Sequence, residues 1–507
     1  MKKIFYFTLV LATGLLSACK KDKPPGNTDG GVLTGPTKTG STLDLIKDSV
    51  YLYAKETYLW YDAIPDYKTF QPRSITGSDD ITALTNEVDQ ISQFKINPST
   101  NQPYEYYAPD PGSAKYSFID DGSVSTELGG TNGDFGLSVL YQETTDLRIK
   151  YVYAGSPADK AGIKRGYQVV KLNGRTTLDY DNGTNVNFVV NAVYGANPIT
   201  MTLKKPDGTT VDVSLAVANY TINPVLTYKV FTLGDKKVGY LVFNTFTSPE
   251  NAGPQLLKAF NAFTAANVTE LVVDLRYNGG GYVSTAEYLD NLIVPTAKNG
   301  SQMYTYYYND KLQADNHPLL SAIYNIKKGD FLPTNPDNRI LFTKNGSLNI
   351  SRVFFIITGS TASASELTIN NLRPEMDVKF IGRTSYGKPV GFFAIDINKY
   401  QLYVPQFETK NSANQGGYYS GMTPGSTDYP GKLDYDDVTK DFGDSTEVLL
   451  QHALNYISTG VYDVSGPKVQ SLSKSKSMSD QQVTNMTLKL DERKFKGMVG
   501  KKELRHK

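Results

Sequence analysis

Apolar residues in this chain fall into short unbroken runs, set between helical patterns and glycine-rich turns. Val353, Phe354, Phe355, Ile356 and Ile357 form such a run and predict a strand buried on both faces. Small residues follow from Gly359 to Ser365. A helical pattern then runs through Leu367, Ile369, Asn370 and Leu372 and stops at Pro374. Around this unit the pattern predicts strands at 238–246, 270–276 and 377–382, a helix at 249–266, a hairpin from 392–395 and 400–405, and a last helix at 447–457. Residues 219–465 therefore read as an α/β domain, interrupted at 297–350 by a Tyr-, Asn- and Lys-rich insertion. Upstream, helical spacing over 43–60 predicts a small helical domain spanning 43–127. Short alternating strands fill 128–218. The whole is a multidomain α+β chain. Its last segment, 466–507, is basic with little periodicity, and reads as mostly disordered with one short strand at 486–490.

Composition removes several functions. The 507 residues carry a net charge of +1, so no global field draws the chain to nucleic acid. A single Cys permits neither an intrachain disulfide nor an all-cysteine metal site. Three His (His317, His452 and His506) exclude a His-rich metal centre and leave few bases for a Ser-His-Asp triad. His452 sits inside the last helical pattern, where packing or a surface role is expected. No metal or organic cofactor is called for. The one Cys stands in a telling place. Met1, Lys2 and Lys3 precede an apolar stretch, 4–16, that is too short to span a bilayer, and Leu16-Ser17-Ala18-Cys19 closes it. This resembles the lipobox of bacterial lipoproteins. The resemblance implies cleavage before Cys19, acylation of its thiol and a lipid anchor in the cell envelope, with 20–42 as a flexible tether.

Three turns follow strands of the α/β domain: 277–281, 359–366 and 384–391. Ligands gather at the carboxyl ends of such strands. A hydroxyl at a strand-to-helix turn is well displayed for nucleophilic attack, and the unpaired N–H groups of the helix's first turn point at an oxyanion formed there. Ser360, Ser363 and Ser365 are equal candidates on this argument. Glu366 reads as a first-turn acid favoured by the helix dipole. The third turn carries Lys388 beside Tyr386, Pro389, Val390 and Phe392. An exposed Lys is a poor base at neutral pH, but burial among apolar neighbours lowers its pKa, and a neutral amine can take a serine's proton.

Two further resemblances sharpen this. Ala154-Gly155-Ser156-Pro157-Ala158-Asp159-Lys160-Ala161-Gly162-Ile163, then Gly166, then Val169 to Gly174, resembles a PDZ domain, with Tyr167 where that family usually has Asp. It implies capture of peptide C-termini by strand addition, the carboxylate held by the N–H groups around Phe135, Gly136 and Leu137. Asp274 to Gly281, Thr361 to Glu366, and Tyr386-Gly387-Lys388 occur in the order seen in the C-terminal processing peptidases, or tail-specific proteases. The resemblance covers about 128–460. It implies a crotonase/ClpP-like ββα catalytic domain with an inserted PDZ domain. It also implies Ser363 as nucleophile, Lys388 as base, and an oxyanion hole from the N–H of Ala364 plus one from Gly280 or Gly281. The family often has Gln four residues after the Lys; here Phe392 stands there. The expected function is a lipid-anchored serine endopeptidase acting on proteins with free C-termini. The alternative is a non-catalytic PDZ lipoprotein that scaffolds exported proteins. A crotonase-type acyl-CoA enzyme shares the fold but not the export signal.

Overall fold

The computed structural model describes residues 35–181, 183–463, 480–491 and 494–500. The leader, Cys19, residues 20–34 of the tether, and His506 lie outside the described residues.

Helix α1 (Thr42–Thr57) starts at a reciprocal cap: Ser41 Oγ accepts the Asp44 N–H, and Asp44 accepts the Ser41 N–H. Its buried face (Ile46, Val50, Ala54) packs against α2 (Asp80–Ser92). This core is continuous with that of the main sheet further on, so the N-terminal helices form a wall of the unit built on that sheet.

Five antiparallel strands follow, β1 (Leu137–Glu143), β2 (Asp146–Val152), β3 (Gln168–Leu172), then helix α3 (Thr184–Tyr194), then β4 (Ile199–Lys204) and β5 (Thr210–Leu215). They pair in chain order around a second core, into which α3 places Val186, Val189, Val190 and Val193.

The main sheet opens with β6 (Val225–Leu233) antiparallel to β7 (Lys236–Phe243). It continues, after helix α4 (Pro249–Ala265), with β8 (Glu270–Asp274) parallel to β7. Short β9 (Gly280–Tyr282) and helix α5 (Val283–Ile293) come next. Then β10 (Arg352–Ile357), helix α6 (Ala364–Leu372), β11 (Asp377–Gly382), β12 (Gly431–Leu433) and helix α7 (Val448–Thr459) complete the layer. The sheet order is β6-β7-β8-β10-β11-β12, parallel from β7 onward. The unbroken apolar run of β10 is explained by its two covered faces. Val353, Phe355 and Ile357 join the core under α4, α5 and α6, while Phe354 and Ile356 pack with Leu449, Ala453 and Ile457 of α7. Because β8, β10 and β11 are parallel neighbours, the turns 277–281, 359–366 and 384–391 leave the same sheet edge together.

Two regions are more ordered than the sequence suggests. Within the insertion, Gln302–Tyr308 joins Arg339–Leu341, Phe407–Asn411 and Val390–Gly391 in a four-stranded sheet. The expected hairpin forms at Ile395–Ile397 and Tyr400–Tyr403, with Phe118–Asp120 as its third strand. The tail departs from expectation outright. Residues expected as a disordered segment with a strand at 486–490 form helix α8 (Asp480–Leu490) and strand β13 (Gly497–Val499). Met486 and Leu490, one helical turn apart, are buried in the second core against β1 and α3. Burying each is worth about 1.5–3 kcal/mol.

Candidate active site

Ser363 closes the turn after β10 with φ +59°, a left-handed backbone that a non-glycine residue adopts only at a cost of about 1–3 kcal/mol. Helix α6 begins at the next residue. The three serines of this turn are not equivalent. Ser360 Oγ donates to Asp491 Oδ2 at 2.6 Å, and Ser365 Oγ donates to the Asn278 carbonyl at 3.0 Å. Ser363 Oγ is buried and makes no hydrogen bond among the described residues. An unpartnered buried hydroxyl on a strained turn is where a reacting group would be met.

Glu366 binds this turn to the next one. Its carboxylate accepts the Ser363 N–H at 2.9 Å, the Gly387 N–H at 2.8 Å and the Lys388 N–H at 2.9 Å, and a hydrogen bond from Ser385 Oγ. The side chain is fully buried, and burial pushes its pKa above the ordinary carboxyl range against the pull of those donors. The role expected for it, a first-turn acid, covers only one of these contacts.

Lys388 is also fully buried. Its Nζ donates to the Tyr116 carbonyl at 3.1 Å and to the Lys496 carbonyl at 2.7 Å, and stands 4.3 Å from the centre of the Phe392 ring. Burial lowers its pKa to about 7; Lys496 and Lys115 add to the fall, while Glu105 and Glu366 oppose it. A neutral amine has two N–H donors and one lone pair. The two carbonyls take the donors, which leaves the lone pair to accept a proton. Phe392, where the resemblance leads one to expect Gln, packs against Phe118, Tyr403 and Phe495. The amine is held instead by the Lys496 carbonyl and by the Tyr116 segment. That segment is held by Glu105, whose carboxylate accepts the N–H groups of Tyr116 and Ser117, the Ser117 hydroxyl and the Tyr58 hydroxyl. Sequence reading passed over Glu105 and Tyr116, because nothing local marks a loop carbonyl as a lysine's partner.

The glycine turn contributes backbone. The Gly280 N–H donates to Asn278 Oδ1 at 2.9 Å, so one of the two glycines expected at an oxyanion hole already has its N–H engaged. A Cβ on Gly280 would lie 3.0 Å from the Ala364 nitrogen and 2.2 Å from the Gly497 oxygen. A Cβ on Gly279 would lie 2.2 Å from the Phe495 oxygen. These glycines let another backbone come close, and the one present is the chain's own: β9 pairs in parallel with β13, Gly280 opposite Gly497 and Gly281 opposite Met498.

The other expected site residues sit elsewhere. Phe135 and Leu137 are buried in the second core, and the Gly136 N–H is already held by Asp134 Oδ1 at 2.6 Å. Next to them, the face between β1 and α3 carries α8. His452 pairs with Asp434 at 2.9 Å, and His317 meets Ser321 at 2.8 Å; neither is hydrogen-bonded to Ser363 Oγ.

A family model, Peptidase family S41, matches residues 237–424. This stretch is a peptidase family S41 domain. The S41 domain holds Ser363, Glu366, Lys388 and the glycine turn. Tyr116 and Glu105 come to it from before the match, and Lys496 from after it. Curated relatives include two proteins of Bacillus subtilis (strain 168). One, named carboxy-terminal processing protease CtpA, is 24% identical over 291 residues, 57% of this chain and 53% of that protein. The other, named carboxy-terminal processing protease CtpB, is 28% identical over 193 residues, 37% of this chain and 36% of that protein. The chain thus spans about half or less of the curated relatives it matches. A solved structure titled as a putative S41 protease from Bacteroides fragilis NCTC 9343 is 23% identical. It covers 81% of this chain and 97% of its own, with a TM-score of 0.54, which shows the S41 fold.

Proposed function

We propose that this protein is a serine endopeptidase of the bacterial cell envelope, anchored by lipid at Cys19. Ser363 is the nucleophile and Lys388 the general base. The observation that carries this reading is the joining of the two turns by Glu366, whose carboxylate ties the backbone of a strained serine with an unpartnered hydroxyl to the backbone of a buried lysine. The S41 match and the relatives named as carboxy-terminal processing proteases support it.

Ser363 Oγ attacks the scissile carbonyl carbon while its proton passes to the Lys388 lone pair. The carbonyl oxygen takes up the negative charge, facing the N–H groups of Ala364 and Gly281. The tetrahedral intermediate collapses, the C–N bond breaks, and Lys388 returns the proton to the leaving amine. Water then attacks the acyl-enzyme with Lys388 again as base, freeing the acid and restoring Ser363. The 128–218 unit acts as the PDZ-type module, and receives substrate C-termini once α8 leaves the face between β1 and α3.

Incubation with an unfolded protein, read by mass spectrometry, tests the reaction. Cleavage is expected to fall by about 10³-fold or more in Ser363→Ala and Lys388→Ala. It should stay within about tenfold of the parent in Ser360→Ala, whose hydroxyl is already engaged. Fragments that persist unchanged in Ser363→Ala would remove the assignment. The anchor is tested by the mass of the mature N-terminal peptide, which should carry acyl groups that Cys19→Ala lacks.

A further inference from the structure

Residues 494–500 run along the glycine turn and reach the Lys388 amine. The Gly497 N–H donates to the Gly279 carbonyl at 2.9 Å, and the Gly500 N–H to the Phe392 carbonyl at 2.8 Å. A Cβ on Gly280 would meet both the Gly497 oxygen, at 2.2 Å, and the Ala364 nitrogen, at 3.0 Å, and the Lys496 oxygen accepts from Lys388 Nζ. The general base therefore spends one of its donors on this segment. The segment's side chains are equally well met. Met498 is fully buried, close enough to Gly391 that a Cβ there would come within 2.7 Å of its Cγ. A Cβ on Gly497 would lie 2.4 Å from the segment's own Phe495 ring and 2.5 Å from the Phe392 ring, so a side chain there must push one of these rings aside. Phe495 packs edge-on against Phe118 and Phe392. Upstream, the segment is held by Asp491, which is ion-paired to Lys150 of β2 at 2.8 Å and hydrogen-bonded to Ser360.

We propose that residues 494–500 occupy the peptide cleft in the manner of a substrate, so that the site takes extended polypeptide bearing glycine followed by a methionine-sized apolar residue, and the chain's own C-terminal segment competes with that substrate. This rests on the peptidase reading of the cleft. The recognition is strand addition to β9, with specificity from the position opposite Gly280 and from the pocket that holds Met498. A tethered segment competes at an effective concentration of about a millimolar, so it excludes free chains of ordinary affinity until it is displaced.

The test is made on the full chain carrying Ser363→Ala, so that nothing is turned over, with a fluorescent peptide of sequence Phe-Lys-Gly-Met-Val-Gly as probe. Met498→Asp, which places a carboxylate in the apolar pocket, should expel the segment and tighten peptide binding by at least about tenfold. Gly497→Val should do the same by steric means and serves as a second, independent variant. The probe with Val for its first Gly should not bind. Equal binding by the parent and both variants, or binding indifferent to that Gly→Val change, would overturn the proposal. Restoring Ser363 in the Met498→Asp chain separates the two readings. Peptide bound but never cleaved there would sink the peptidase assignment and leave the occupancy standing.

Discussion

One carboxylate oxygen, Glu366 Oε2, accepts both the Ser363 N–H and the Lys388 N–H, each at 2.9 Å. The turn that carries Ser363 and the turn that carries Lys388 thus share an acceptor, though they leave different strands. Glu366→Gln keeps the volume but presents an amide N–H₂ to one set of donors, whichever way it turns. The loss of stability should be about 1–3 kcal/mol. With the two turns no longer pinned, kcat/KM should fall by about 10- to 100-fold, mostly in kcat. Thermal unfolding and steady-state kinetics on one preparation read both. A stability loss with unchanged kcat would show that Glu366 only supports the fold.

The activity should depend on pH through Lys388. Its pKa is lowered to about 7, chiefly by burial, and only the neutral amine can accept the Ser363 proton. The rate should therefore rise with pH, by about tenfold per pH unit below 7, and level off above it. Lys388→Arg keeps a charge at every accessible pH and should be inactive throughout. A pH profile of kcat/KM decides the matter; a rising limb near the ordinary lysine value would mean that the amine is solvated in the working enzyme.

Glu105 acts on the same titration with the opposite sign. Its charge favours protonated Lys388, and its carboxylate holds the Tyr116 segment whose carbonyl receives the amine. Glu105→Gln should move the rising limb to lower pH, because the charge that stabilised the ammonium is gone. Glu105→Ala should in addition destabilise the protein, by about 1–3 kcal/mol for each donor left buried and unpaired. If Glu105→Gln left the limb in place, the link between this carboxylate and the base would be lost.

How much of this could be read from the chain depends on the range of each interaction. The run at 353–357 and the three turns were legible because burial on two faces and reversal at a sheet edge are written in neighbouring residues. Ser363 stood out from Ser360 and Ser365 only through a family resemblance; the structure distinguishes them by partners, Asp491 and the Asn278 carbonyl, that lie far off in sequence. Glu366 was legible as a helix N-terminal acid. Its reach to Lys388 depends on the β10–β11 register, Ile357 opposite Gly382, which no local pattern encodes. The tail was the hardest part. Met486 and Leu490 give one helical turn of apolar signal, and the basic residues around them read as solvated until Lys150, Asp491 and Ser138 appear beside them.

The Lys150–Asp491 pair is the clasp that holds the tail to the sheet, and its energetics can be separated from its charge. Both side chains are 1% exposed. Burial pulls the Asp491 carboxyl upward, but Lys150, Lys494 and Lys496 together hold it well below the usual carboxylate range. Its contribution to stability is therefore present above the unfolded-state pKa of about 3.9 and is lost only as pH falls through the lower folded value. Mild acid alone should leave the clasp closed. Burial already lowers the Lys150 pKa to about 7 against the pull of Asp491; Asp491→Leu strips it of its partner and should cost about 3–5 kcal/mol, because the amine is left buried with neither a counter-charge nor its acceptor. Lys150→Met combined with Asp491→Leu removes both charges and should recover most of that loss. Denaturant midpoints of the two single variants and the double give the coupling. A double variant as unstable as Asp491→Leu alone would mean that the Ser360 and Lys494 contacts, not the buried pair, hold the segment in place.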